Sequence, residues 1–136
     1  MNRNDIIIAE FRENDGTVTT GGFGRHLVLL HHCGRSTGIE RITPLFALRQ
    51  DPDTWMIVAT KAGAPEHPAW FHNLLAHPEV TIETPDDGTV AVRAEQVTDS
   101  ERDLAWAKFV EVSPIFAQYQ AKTERTIPVV ALRRRT

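Results

Sequence analysis

Residues 31–44 of this 136-residue chain read HHCGRSTGIERITP, and two kinds of chemistry compete for them. His31, His32 and Cys33 are metal-ligand types. Gly34 to Arg41 is a glycine-bounded turn with hydroxyls and two arginines, the material of an anion site. On a strand, His31 and Cys33 point to one face and His32 to the other, so the three cannot converge on one ion. A structural zinc needs four ligands, and no second cluster supplies them. His67, His72 and His77 recur at steps of five, which spreads them around a helix. The expectation is therefore no metal site. Cys33 lacks a visible base or pKa-lowering partner and reads as a small strand residue rather than a nucleophile.

The anion reading fits the local charge. Thr20 to Arg49 carries Arg25, Arg35, Arg41 and Arg49 against one acid, Glu40, in a chain of net charge −3. Guanidinium forks match phosphate and carboxylate geometry. The turn is not a Walker phosphate loop, because it lacks the Lys-Ser/Thr ending and the strand–loop–helix context. A solvated polar hairpin is the plain alternative. A second candidate is TKAGAPEHPAWFHNL, residues 60–74: a lysine and small residues at a strand end, then a helix start. Helix N-termini attract anions, and small residues let a flat ligand approach the backbone. Trp70 and Asn73, three apart on a helix, would present a plane and an amide to the same ligand.

The elements that must position these groups follow from periodicity and punctuation. Asn4 is expected to cap a helix over 5–14 with Ile7, Ile8 and Phe11 on one face. A glycine-rich mobile connection then runs to residue 24. Strands are expected at 25–33, 40–50, 55–60, 79–84, 89–97 and 127–132. Pro68 opens a helix to about residue 76, closed by His77-Pro78. Thr98 and Glu101 resemble a capping box for a helix to about 112, with Ala105, Phe109 and Val112 facing the core. A short helix follows over 114–122. The fold class is α+β, one domain over 1–136, with six antiparallel strands that curl into a small barrel.

The totals exclude other classes. The acidic balance argues against nucleic acid as a partner. One cysteine permits no internal disulfide. The apolar run Ile6 to Ala9 is too short for a signal-peptide core or a membrane span, so a cytoplasmic protein is expected. A membrane-surface role for the first helix, making the protein peripheral to the membrane, is the lesser reading beside a lid or packing helix. Its flanks Asp5, Glu10, Arg12 and Glu13 are mostly acidic.

Four stretches together resemble one family: EFREN-G near the start, GR-S/T-G---R-TPL at 34–45, GAPEHPAWFHNL at 63–74, and P-F--YQ-KT-R-IPVV at 114–130. They are similar to the deazaflavin (F420)-dependent nitroreductases, also described as F420H2-dependent quinone reductases of actinobacteria. The resemblance implies a split β-barrel of the FMN-binding kind with three peripheral helices beyond the N-terminal segment. It implies coenzyme F420 as cofactor, with FMN as the alternative, and hydride transfer to a quinone or nitroaromatic acceptor. A non-catalytic F420-binding protein is a further alternative, and a homodimer is a further expectation. By position, Arg35, Ser36 and Thr37 would meet the cofactor's anionic tail. Arg41, Ile42, Thr43, Pro44, Leu45 and Phe46 would line its groove. Val58, Ala59, Thr60 and Lys61 would follow the strand edge, with Lys61 on a phosphate or ring oxygen. Ala69, Trp70, Phe71, His72 and Asn73 would cover the other side. Ser113, Phe116 and Tyr119 would border the acceptor, with Tyr119 also the implied proton donor. Ser36 and Ile39 stand where family members often carry basic residues, and Ala62 stands where a glycine is common. The single tyrosine makes nitroimidazole reduction a weaker expectation than quinone reduction.

Overall fold

A computed structural model of the chain describes residues 2–135, so the two ends of the expected 1–136 domain lie outside the described residues. Six strands, β1 (Leu27–Cys33), β2 (Glu40–Asp51), β3 (Thr54–Val58), β4 (Glu79–Thr84), β5 (Gly88–Val97) and β6 (Val129–Arg134), form a closed antiparallel barrel in the order β1-β2-β3-β6-β5-β4. Closure leaves no open sheet edge. Four helices surround it: α1 (Arg3–Glu13), α2 (Ala69–Ala76), α3 (Asp99–Val112) and α4 (Ile115–Ala121).

Each helix covers a different part of the barrel. Inward side chains Val28, Leu30, Ile57, Ile82, Val92 and Leu132 fill the interior, and α2 closes it by adding Trp70, Phe71 and Leu74 to the same cluster. On the outside, Phe109 of α3 and Phe116 of α4 pack on Met56, Val58, Val129 and Ala131. Ile7 and Phe11 of α1 pack on Leu27 and Leu29, with Ile8 at the margin.

Local chemistry corrects several expected boundaries. Asn2, not Asn4, caps α1, accepting the Asp5 N–H at 2.8 Å, and the helix starts at Arg3. The Thr98–Glu101 capping box does not form. The Thr98 side chain makes no capping bond, and Glu101 instead accepts from Arg133 at 3.2 Å. Val112 is 46% exposed rather than core, because the inner face of α3 is centred on Phe109. β3 ends at Val58, since the Ala59 and Thr60 carbonyls turn aside to accept from Arg125. β6 starts after Pro128, which has no N–H for the ladder.

Candidate functional site

The β1–β2 hairpin carries both parts of the site. Its register pairs His32 with Arg41, Leu30 with Thr43 and Leu27 with Phe46. Thr43 and Leu45 therefore share the face of His32, while Ile42, Pro44 and Phe46 lie on the other.

At the closed end of the hairpin, the Gly38 N–H donates to the Gly34 carbonyl at 2.8 Å, and Ile39 N–H donates to Thr37 Oγ1 at 3.2 Å. Gly38 has φ +71°, a left-handed conformation that favours glycine. A Cβ on Gly34 would come within 2.5 Å of Thr37 Oγ1, so the turn closes this tightly only with glycine there. Among the described residues, the Ser36 and Thr37 N–H groups have no partner within the protein, and neither do the Arg35 and Arg41 guanidiniums. The other arginines of the segment are neutralised. Arg25 is bound to Asp86 at 2.6 Å, and Arg49 is bound to Asp87 and lies over the Trp55 ring. The apparent basic cluster thus resolves into two structural arginines and two free ones.

Behind the turn, Asn73 of α2 accepts the Arg35 N–H on Oδ1 at 3.0 Å, and its Nδ2 lies 3.0 Å from His32 Nδ1. His32 Nε2 lies 2.8 Å from Thr43 Oγ1. His32 and Asn73 are both buried. Burial holds the imidazole's pKa below its ordinary value, and the charges of Arg41 and His31 add to the effect. Its neighbour His31, on the opposite face, lies 3.0 Å from Glu40 and 2.7 Å from Glu83. Burial alone would depress His31, but the two carboxylates outweigh it and raise the pKa.

Further along β2, a cavity of about 350 Å³ opens between the barrel wall, α1 and α4. Pro44, Leu45 and Phe46 of β2, with Val58 and Thr60, form its floor. Ser113, Phe116 and Tyr119, the residues expected at the acceptor, form one wall. Arg3, Asn4 and Ile7 of α1, with Gly21 to Phe23, form the opposite wall. This second wall was not anticipated as part of a site, although the lid alternative for the first helix pointed toward it. Phe46 and Phe116 meet edge to face, centroids 5.2 Å apart, and Tyr119 meets Phe116 likewise at 6.0 Å. Among the described residues the Tyr119 hydroxyl makes no hydrogen bond.

The remaining expected residues lie outside this cavity. Ile42 packs under α1. Ala59 is fully buried. Lys61 is exposed and bound to Glu66 at 2.8 Å. Trp70 and Phe71 are core residues at the barrel end, Ala69 is exposed, and His72 stands beside Phe71. The loop that joins these two groups hangs on Arg125, whose guanidinium donates to the carbonyls of Ala59, Thr60 and Ala64 and to His67 Nδ1. The His67 contact needs an unprotonated Nδ1. Burial and the Arg125 charge both hold the His67 pKa low. Arg125 stood only as one letter of a motif in the sequence, and nothing local announces a contact partner about sixty residues away.

A turn with free anion donors, joined by one strand to an aromatic cavity, suits an elongated ligand with a flat head and a charged tail. The model of the family described as F420H(2)-dependent quinone reductase matches residues 5–134. The chain belongs to that family. An F420H(2)-dependent quinone reductase of Mycobacterium tuberculosis strain H37Rv is 39% identical over 110 residues, 79% of this chain and 73% of the relative. The solved structure of an F420-H2 dependent reductase, FDR-A, superposes with a TM-score of 0.71 at 34% identity, covering 79% of this chain and 94% of that one. A structure described as a domain-swapped dimer matches at TM-score 0.72 and 30% identity, covering 96% and 99%. Members of the F420H(2)-dependent quinone reductase family are oxidoreductases, and this chain shares their barrel.

Proposed function

We propose that this protein binds reduced coenzyme F420 along β2 and passes its hydride to a quinone seated in the cavity between α1 and α4. The observation that carries this reading is the pairing of two sites on one strand. Unpartnered cations and N–H donors lie at one end, and a cavity walled by Phe46, Phe116 and Tyr119 lies further along. F420, when bound, supplies two-electron chemistry at a ring carbon, so the protein needs to bind, orient and exclude water rather than provide a nucleophile.

The chain's donor set fits such a group. Arg35 and Arg41 meet the tail carboxylates, and the Ser36 and Thr37 N–H groups and hydroxyls add neutral donors. With Ser36 and Ile39 in place of cations, the grip on the tail rests on these two arginines. Lys61 reaches a phosphate by leaving Glu66, a release that costs little because both side chains are exposed. Ala69 to Asn73 support the groove mainly as packed structure. The acceptor lies against Phe116 and Tyr119, with Ser113 at the rim and the Tyr119 hydroxyl as proton donor. Nitroaromatics of similar size and planarity are secondary acceptors. The apolar face of α1 is spent on the barrel, which supports a lid or packing role over a membrane contact. No described helix is long and apolar enough to cross a membrane. A homodimer is consistent with the domain-swapped neighbour.

Titration of purified protein against the fluorescence of F420, followed by menadione-dependent oxidation of F420H2, tests the proposal. Saturable binding with turnover is expected. Binding without turnover across a quinone panel leaves a cofactor-binding protein, and a protein that purifies yellow and releases FMN on denaturation replaces the cofactor assignment.

A further inference from the structure

The HHC segment keeps one unexplained feature. His32 is a buried titratable side chain, 3% exposed, that lines no cavity described above. Its contacts fix every proton in a short chain. The Arg35 N–H can only donate, so the Asn73 atom that meets it is the carbonyl oxygen. The amide nitrogen therefore faces His32 and donates to Nδ1. An accepting Nδ1 puts the ring proton on Nε2, which donates to Thr43 Oγ1. The Thr43 hydroxyl ends the chain, with no acceptor for its own proton among the described residues.

We propose that His32 is a positioning residue for the anion-holding turn: through Asn73 it holds the backbone at Arg35 in its binding geometry, and it does so only while its ring is neutral. A protonated ring would set an N–H at Nδ1 against the Asn73 amide N–H. The amide relieves that clash by turning over, which takes its carbonyl away from Arg35 and leaves the turn without its tie to α2. The inference rests on the reading of this turn as the seat of the cofactor's anionic tail.

The surroundings favour the neutral ring. Arg41 lies across from His32 on β2 and His31 lies beside it on β1. From α2 the group that faces it is the uncharged Asn73 amide, and from β2 the Thr43 hydroxyl. None of these is an acid. Acidification therefore works on the relay in one direction. The tie is complete above the pH at which His32 protonates and is lost as the pH falls through it. A simple electrostatic role predicts the reverse, because a cationic His32 would attract an anionic tail.

Two measurements test this. In 15N spectra of the wild-type apo protein at pH 7.5, His32 should show a proton on Nε2 and none on Nδ1. The Arg35 amide resonance should then titrate with the same midpoint as the ring. An Nδ1–H tautomer, or an Arg35 amide indifferent to that midpoint, overturns the proposal whether or not F420 binds. The second measurement is the F420 dissociation constant of wild type and His32→Asn by equilibrium dialysis from pH 7.5 down through the ring midpoint found in the spectra. The asparagine side chain keeps an acceptor for Asn73 and does not titrate. The ratio of the two constants cancels ionisation of the ligand itself. Wild type should lose about tenfold relative to His32→Asn on acidification, the loss expected of a hydrogen bond within a charge-binding turn. A constant ratio, or relative tightening of the wild type, overturns the proposal. Failure of the wild type to bind F420 at pH 7.5 overturns the cofactor reading and leaves the relay to the spectra.

Discussion

At its Arg41 end, β2 runs out beside an exposed polar turn; four residues on, it passes beneath aromatic rings contributed by α4 and under the first turn of α1. The turn is made by residues 34–39 between β1 and β2 and, among the described residues, is hydrogen-bonded from outside through the Asn73 amide. The cavity draws on α1, the Gly21–Phe23 connection, β2, β3 and α4, which lie more than a hundred residues apart in the chain. The contrast separates two tasks. In the proposed reading, charge is met by a local, exposed loop whose donors are free because their neighbours' charges are paired elsewhere. In the same reading, flat apolar surface is met by a cavity that exists only when distant elements pack.

The sharpest way to test that division is to damage each end separately. Arg35→Ala with Arg41→Ala should weaken F420 binding by about a hundredfold or more, since each charge-assisted contact contributes on the order of 1.5–3 kcal/mol. The KM for menadione, measured at saturating F420H2, should stay within about twofold of wild type. Tyr119→Ala should do the opposite, raising the acceptor KM while F420 fluorescence titrations remain near wild type. If one variant moves both constants equally, the two ends are not independent sites.

The same contrast explains what could be read from the chain before its fold. The turn was legible because Gly34, Arg35, Gly38 and Arg41 act over a few residues. The six strands were legible because their alternation is local. The cavity's second wall was not, because Arg3, Asn4 and Ile7 carry no sign that they will face Tyr119. The division of labour among arginines was equally hidden. Arg25 and Arg49 look identical to Arg35 and Arg41 until the β4–β5 turn brings Asp86 and Asp87 to the first pair. Arg125 shows the limit most clearly, since its four acceptors lie in the 59–67 loop. The Trp70 and Asn73 spacing was read correctly as one helical segment, but the barrel's open end claims the tryptophan as a plug.

The cavity wall supplied by α1 should also respond to pH more than the opposite wall does. Arg12 holds Glu83 at 2.7 Å, and His31 meets the same carboxylate and Glu40. The Arg12 hydrogen bond holds the Glu83 pKa below its ordinary value, and burial only partly offsets it. Its contribution is therefore present above about pH 4.5, the usual carboxylate range, and is lost as the pH falls through the folded value. His31 is raised, so its contribution is present below about pH 6.5 and is lost as the pH rises through its folded value. His31 reaches α1 only through Glu83, which it shares with Arg12, so the network beneath α1 is most complete between those limits. Hydrogen exchange of the α1 amides, corrected for intrinsic rates, should show the greatest protection from about pH 5 to 6.5. Arg12→Ala should reduce that protection by up to about fivefold, as for a half-exposed ion pair. The α4 amides should show no such window, and a matching window there would mean that the whole barrel, not the α1 wall, is responding.

The smallest expected effect probes the loop that serves both ends. Lys61 and Ala62 sit at φ +44° and +53° in the 3₁₀ turn that follows β3, a left-handed region that costs a non-glycine residue about 1 kcal/mol. The turn keeps that shape because Gly63 fits against the Tyr119 carbonyl, where a Cβ would come within 2.7 Å, and because Arg125 holds the carbonyls on either side. Ala62 is exposed. Ala62→Gly removes the steric cost but gives the unfolded chain more freedom, so the two terms nearly offset and the net gain should be at most about 1 kcal/mol. Urea melts should show a small rise in midpoint at unchanged slope, with F420 affinity and acceptor KM both unmoved. A clear loss of stability would mean that the methyl group packs in a way its exposure does not suggest. A change in F420 affinity alone would place this turn with the charged end of the site rather than between the two.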